Sequence, residues 1–179
     1  MATSRNTTTV EDKCLRLTLS CVCHTANMRL EFYSHRFAEE VLNAKLGLKR
    51  EIHDVLTALK ISDQKGAHEL IQSAFVQAGW KDEEPIAADR RPRYDLYKDR
   101  VAIEVEISHR TNTYKDLLKF LVGLNEDKID LGVEVLWTDN FKRRHSLNSG
   151  APSLGILRSD LTMFREIIPV PIYGIGIED

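Results

Sequence analysis

The sequence predicts an α/β fold, a mixed central β-sheet flanked by helices. Three observations carry this. The elements run helices, hairpin, helix, strand, loop, helix, strand. Val101, Ile103, Val105 and Ile107 alternate with Ala102, Glu104, Glu106 and Ser108, the period-two pattern of a half-buried strand. Leu131 to Trp137 is almost wholly apolar, which marks an internal strand.

Residues 29–33 read as a short first strand. Phe37 to about Leu46 and Lys49 to about Lys60 read as two amphipathic helices broken near Gly47. Ile61 to Gly66 carries turn residues. Ala67 to Ala78 is a helix with Leu70, Ile71, Ala74 and Phe75 on one face, ended by Gly79. Lys81 to Arg93 is polar, holds Pro85 and Pro92, and reads as a loop. A hairpin follows, with Asp99-Arg100 as a two-residue turn. Asn112 or Thr113 caps a helix to about Asp127 that buries Tyr114, Leu117, Leu118, Leu121 and Leu124. Thr138 to Pro152 reads as a polar, basic loop, Ser153 to Ile168 as largely helical, and Val170 to Ile177 as the last strand.

The chain has 179 residues and a net charge of −2. That length suits one compact domain. No apolar run reaches membrane-span length, and no signal peptide is evident, so a cytoplasmic protein is expected. The charge excludes a globally basic nucleic-acid binder but not a locally basic one. Basic residues cluster at Arg90, Arg91 and Arg93, at Lys98 and Arg100, at His109 and Arg110, and at Lys142, Arg143, Arg144 and His145. Each cluster alone is an ordinary solvated loop; together they surround the hairpin. Cys14, Cys21 and Cys23 all lie within residues 1–27. Cys21-Val-Cys23-His24 has a zinc-like spacing but no second ligand pair, so free thiols are expected. Residues 1–27 read as a loose extension, with Met28 as an alternative start, and 28–179 as the domain.

The hairpin concentrates the chemistry. Glu104 and Glu106 share a face, roughly 7 Å apart along the strand. The turn at Asp99-Arg100 pairs Lys98 with Val101 and Leu96 with Ile103, which sets Asp95 across from Glu104. Like charges directly opposite destabilise a sheet; a divalent metal with oxygen ligands resolves the conflict. Asp95, Glu104 and the carbonyl of Val105 are candidate ligands, and Glu106 can orient or deprotonate a water. Mg²⁺ suits two carboxylates plus a substrate phosphate, and the basic loops suit a phosphodiester backbone. The bland alternative pairs these acids with Arg93, Arg100 or Arg110 on a solvated face.

Asp95, eight residues, then Glu104-x-Glu106 resembles the catalytic core of PD-(D/E)XK nucleases, and more narrowly the BglII/BstYI family of type II restriction endonucleases. Asp99-Arg-Val-Ala-Ile-Glu-Val105, Asp127-Lys-Ile-Asp-Leu-Gly-Val-Glu-Val-Leu136 and Pro171-Ile-Tyr-Gly-Ile-Gly-Ile177 are similar to segments of that family. So are Phe32-Tyr-Ser-His35 and Ala78-Gly-Trp80. The resemblance covers roughly residues 28–179. It implies a restriction-endonuclease-like core, cleavage of double-stranded DNA with Mg²⁺ (or Mn²⁺ in its place), and a homodimer on a palindromic site.

By the same resemblance, Asp95 and Glu104 fall on metal-binding acids. Glu106 departs: the superfamily usually has lysine there and the nearest relatives glutamine. A carboxylate ligates metal directly, so Glu106 permits a second ion. Glu69 falls on a helix acid that shapes the site, and reads equally well as a solvated helix residue. His109 and Asn148-Ser149 fall on base-reading positions, although Asn148-Ser149-Gly150 is also an ordinary turn. Arg110, Lys142, Arg143 and Arg144 are expected at DNA, the last three on phosphates. Residues 37–60 or 113–127 are candidate dimer surfaces. Two rivals remain: a repair or modified-DNA nuclease on this core, and a non-cleaving DNA-binding protein on a decayed one.

Overall fold

The structure is a computed structural model that describes residues 28–61, 64–88 and 91–179. The readings of residues 1–27, the Cys21–His24 zinc reading included, lie outside the described residues, as does Arg90. A single six-stranded sheet organises the rest. Its strands are β1 (Arg29–His35), β2 (Lys81–Pro85), β3 (Arg93–Lys98), β4 (Val101–Val105), β5 (Leu131–Trp137) and β6 (Ile172–Glu178), in the order β1-β6-β5-β4-β3-β2. β5 runs parallel to β4 and to β6, and the other pairs are antiparallel. The expected mixed sheet is therefore present. The apolar run of β5 matches its place: strands with helices on both faces lose the polar alternation.

Helices α1 (Ala38–Asn43), α2 (Leu48–Ala58) and α3 (Ala67–Gln77) cover one face, burying Leu42, Ile52, Leu56, Ile71 and Phe75. Helices α4 (Arg110–Asn125) and α6 (Leu154–Met163) cover the other with Phe120, Leu157 and Leu161. This corrects one expectation. All of β4 is buried, not one face of it, because α4 lies across its second face. Two glycines allow that approach. A Cβ on Gly132 would strike the Phe120 ring, and one on Gly123 would strike the Tyr94 hydroxyl. Their absence lets α4 sit close over β5 and β3. Among the described residues no helix is long and apolar enough to cross a membrane.

The hairpin turn forms at Asp99 and Arg100, with φ of 50° and 64°, the left-handed pair that a type I′ turn requires. Leu96 pairs with Ile103, Tyr97 with Ala102 and Lys98 with Val101, in the expected register. The ladder stops one step short of Asp95 and Glu104. Tyr94 and Tyr97 both pack on the α4 side while Leu96 packs on the α3 side, so the alternation slips by one at Asp95.

Other boundaries shift for identifiable reasons. The polar stretch 81–93 contains β2, an edge strand that needs no apolar face and ends at Pro85. The basic loop 138–152 contains α5 (Asp139–Arg144), too short to show periodicity. Thr138 Oγ1 caps it from Phe141 N at 2.9 Å, with Asp139 in its first turn and three basic residues in its last. α4 begins at Arg110 instead of near Asn112 or Thr113, and α6 ends at Met163.

Candidate active site

Where β3 and β4 leave the hairpin register, α4 crosses above them and a cleft of about 710 Å³ opens. Asp95, Glu104, Val105 and Glu106 line it together with His68, Asp116 and Lys119. The expected gathering of the three hairpin acids is thus present.

Each acid is held differently. Asp95 Oδ2 accepts from Val105 N at 2.9 Å and lies 3.2 Å from His68 Nε2. Burial pushes the Asp95 carboxyl up, but the His68 and Val105 donors outweigh it and leave it below its ordinary value. The same hydrogen bond raises His68. Glu104 is 1 % exposed. Its Oε2 lies 2.5 Å from Lys119 Nζ, and its buried Oε1 has no partner among the described residues. Burial first, then the charges of Asp116 and Asp95, push Glu104 up to about 9. Glu106 Oε1 accepts from Ser108 N at 2.8 Å, Ser108 Oγ at 2.7 Å and His109 N at 2.8 Å. One oxygen of Glu106 therefore braces the entry into α4.

Sequence reasoning missed four members of this cluster: His68, which reads as a surface or packing residue, and Asp116, Lys119 and Glu134. Asp116 and Lys119 sit one turn apart on α4, their charged atoms 2.8 Å apart, and burial pushes Asp116 up to about 6. Glu134 on β5 stands beside Glu104 in parallel register. It is completely buried, neither carboxyl oxygen has a partner among the described residues, and burial raises it well above its usual range. A lone glutamate inside an otherwise apolar strand was the available signal. Glu69 points elsewhere: it is exposed on α3, and its neighbour His68 is the α3 residue that reaches the cleft.

The basic residues divide. His109 is the N-cap of α4. Its ring and the Asn148 side chain both lie over Gly150, and Arg110 N donates to Gly150 O at 2.8 Å. The candidate base-readers His109, Asn148 and Ser149 are therefore on adjoining exposed segments. Arg110 is committed to Asp160 at 2.7 Å. Lys142 Nζ staples its own loop, donating to Ala151 O at 2.7 Å, and Arg144 pairs with Asp179 at 2.5 Å. Arg143 is exposed with no ion pair among the described residues.

A family model described as "Restriction endonuclease BglII/BglIII" matches residues 30–177. The chain belongs to the BglII/BglIII restriction endonuclease family. Family membership makes it a type II site-specific endonuclease, as the hairpin motif implied. Two crystal structures share the fold. That of BglII complexed with a DNA 16-mer has a TM-score of 0.67 at 18% identity, over 84% of this chain and 77% of that one. That of free BglII has a TM-score of 0.61 at 20% identity, over 84% and 80%. No curated protein matches significantly.

Among the described residues, no three carboxylate, histidine or cysteine side chains converge as a ready metal cage. The donor set still fits a hard divalent cation. Asp95, Glu104 and Glu106 offer oxygens into one cleft, and Glu104 Oε1 is buried without a partner.

Proposed function

We propose that this family member is a Mg²⁺-dependent enzyme that hydrolyses both strands of a palindromic DNA site as a homodimer. That Asp95, Glu104 and Glu106 line one cleft carries the reading. BglII has been crystallised in complex with a DNA 16-mer, which supports double-stranded DNA as the partner here. A two-fold protein on a two-fold site follows the usual match of symmetries. Both candidate contact surfaces expose large apolar side chains, Leu118 on α4 and Phe37 and Leu46 within residues 37–60.

The chemistry follows from the residues. Asp95 and Glu104 hold the cation, with the Val105 carbonyl and the free oxygen of Glu106 in reach of the same cleft. The ion, when bound, polarises a phosphoryl oxygen and acidifies water. Glu106 orients the attacking water and accepts a hydrogen bond from it. The water oxygen bonds to phosphorus, the bond from phosphorus to the 3′ oxygen breaks, and one proton passes to solvent. A second solvent proton completes the 3′-hydroxyl, and the 5′-phosphate stays on the other fragment. His109, Asn148 and Ser149 face the bases, and Arg143 holds phosphate. We place the enzyme in the cytoplasm, within a restriction–modification system, and assign residues 28–179 to the catalytic domain.

Phage DNA digested with Mg²⁺ or Mn²⁺ tests this. A discrete fragment ladder whose sequenced ends share one palindromic motif is expected. Gel-shift binding with no cleavage under either metal would instead favour the decayed, non-cleaving alternative. A smear confined to damaged or modified DNA would favour the repair nuclease.

A further inference from the structure

We propose that Lys119, carried on α4, supplies the ammonium group that binds the scissile phosphate; this rests on the nuclease reading above. The strand position that could have offered a cation holds Glu106 instead, and one oxygen of Glu106 is spent on Ser108 and His109. Lys119 reaches the same cleft from above. Its Nζ lies 2.5 Å from Glu104 Oε2 and 2.8 Å from Asp116 Oδ1. It also donates to Arg93 O at 3.2 Å. The side chain is only 18% exposed, so it is placed by packing. Gly132 and Gly123 set the height of α4 over the sheet, and that height sets the reach of Lys119.

The charge around it gives Lys119 two states. Asp95, Glu104, Asp116 and Glu134 all belong to its surroundings, and all four carboxyls interact electrostatically with it. His68 is engaged with Asp95. Without metal, the ammonium is held between Glu104 Oε2 and Asp116 Oδ1. Glu104 Oε2 would hold a divalent cation in place of Lys119 Nζ, and the ammonium would then leave that oxygen. The freed ammonium, a donor with three N–H groups, then turns to the anionic oxygen that enters the cleft beside it. There it offsets negative charge that grows on the phosphoryl oxygens as water attacks. Lys119 makes and breaks no covalent bond in this step and keeps its proton throughout.

The test compares the parent with Lys119→Met, Lys119→Arg and Glu104→Ala. Single-turnover cleavage of a cognate duplex should fall about a hundredfold or more in Lys119→Met, with a loss of duplex affinity in Ca²⁺ of about tenfold or less. Lys119→Arg should recover at least about tenfold of that loss, since a cation is restored. Replacing a non-bridging oxygen of the scissile phosphate by a methyl group should slow the parent strongly and Lys119→Met little further. Mn²⁺ titration without DNA should show several-fold tighter binding to Lys119→Met, because a competing cation is gone. Cleavage by Lys119→Met within threefold of the parent, or Mn²⁺ affinity unchanged or weaker, overturns the proposal. So does loss of folding in both lysine variants, which makes the residue structural. Failure of the nuclease reading has a different signature: Glu104→Ala would cut as the parent does, or the parent would not cut at all.

Discussion

The two ends of one hairpin handle charge in opposite ways. At the turn, Arg100 meets Asp127 at 2.6 Å and Asp130 at 2.9 Å, and Lys45 meets Asp130 at 2.7 Å. Burial pushes Asp130 up, but the Lys45 and Arg100 hydrogen bonds bring it below its ordinary value. Arg100, Lys45, Asp127 and Asp130 are all paired there, and Asp127 and Arg100 face water. At the other end, five carboxylates (Asp95, Glu104, Glu106, Asp116 and Glu134) share Lys119 and a histidine, and buried oxygens of Glu104 and Glu134 have no partner. Folding alone gains nothing from burying unpartnered carboxyls. Such an imbalance agrees with the proposal that this end takes a cation and a phosphate.

The sharpest way to break this contrast is to remove the acids at the open end. Asp95→Ala or Glu104→Ala should lower cleavage by about a thousandfold or more, since each removes a proposed ligand of a water-activating cation. The thermal midpoint of Glu104→Ala should not fall in proportion. Rates near those of the parent from either variant would sink the assignment. Glu106 comes next. Glu106→Gln keeps an oxygen to accept from Ser108 and His109 but loses the charge, and should cost about tenfold in rate. Glu106→Ala loses the brace as well and should be slower still. Equal rates for the two would show that the brace contributes nothing.

Much of this hairpin was legible in the sequence, and the reason is local. Alternation over Val101–Ser108 and a two-residue turn determine the register, and both are read within about fifteen residues. The slip at Asp95 was not legible, because it depends on Tyr94 packing under Gly123 of a helix that comes later in the chain. Glu134 lay in plain view between Val133 and Val135, yet only the parallel pairing of β4 with β5 puts it beside Glu104. Lys119 and Asp116 were passed over because the helix was read for its leucines. β2 and α5 escaped since one is polar on both faces and the other is six residues long.

Glu134 gives a test in which stability, not rate, moves. Its carboxyl is completely buried without a hydrogen bond. Glu134→Leu should stabilise the metal-free protein by about 1–3 kcal/mol, the cost of burying an unpaired polar group. Urea unfolding measures it; a loss of stability would mean that Glu134 has a partner in solution.

The pH dependence of the metal-free protein sharpens the same point. The folded state holds a proton on Glu104 up to about pH 9, against an ordinary value of 4.5. A raised folded value means that the stabilising proton is fully present below the unfolded value and is lost as pH climbs through the folded one. Stability should therefore decline across pH 5 to 9, and Glu104→Gln should flatten the slope. Mg²⁺ should raise the thermal midpoint more at pH 9 than at pH 6, since a proton no longer competes for the carboxylate. A midpoint that rises with pH in the absence of metal would contradict this.

The smallest effect is expected at the satisfied end. Arg100 is 41% exposed in its pairs with Asp127, itself 92% exposed, and with Asp130. Exposed pairs are screened and contribute little. Arg100→Ala also leaves Asp130 with Lys45, so no acid is stranded. The turn keeps its left-handed geometry through Asp99, whose carbonyl still accepts from Lys45 at 2.8 Å. The thermal midpoint should shift by about two degrees or less, and cleavage should be unchanged. A tenfold loss of cleavage with normal folding would mean that the turn positions Asp95 and Glu104 along the length of the hairpin, and the two ends would then have to be treated as one device.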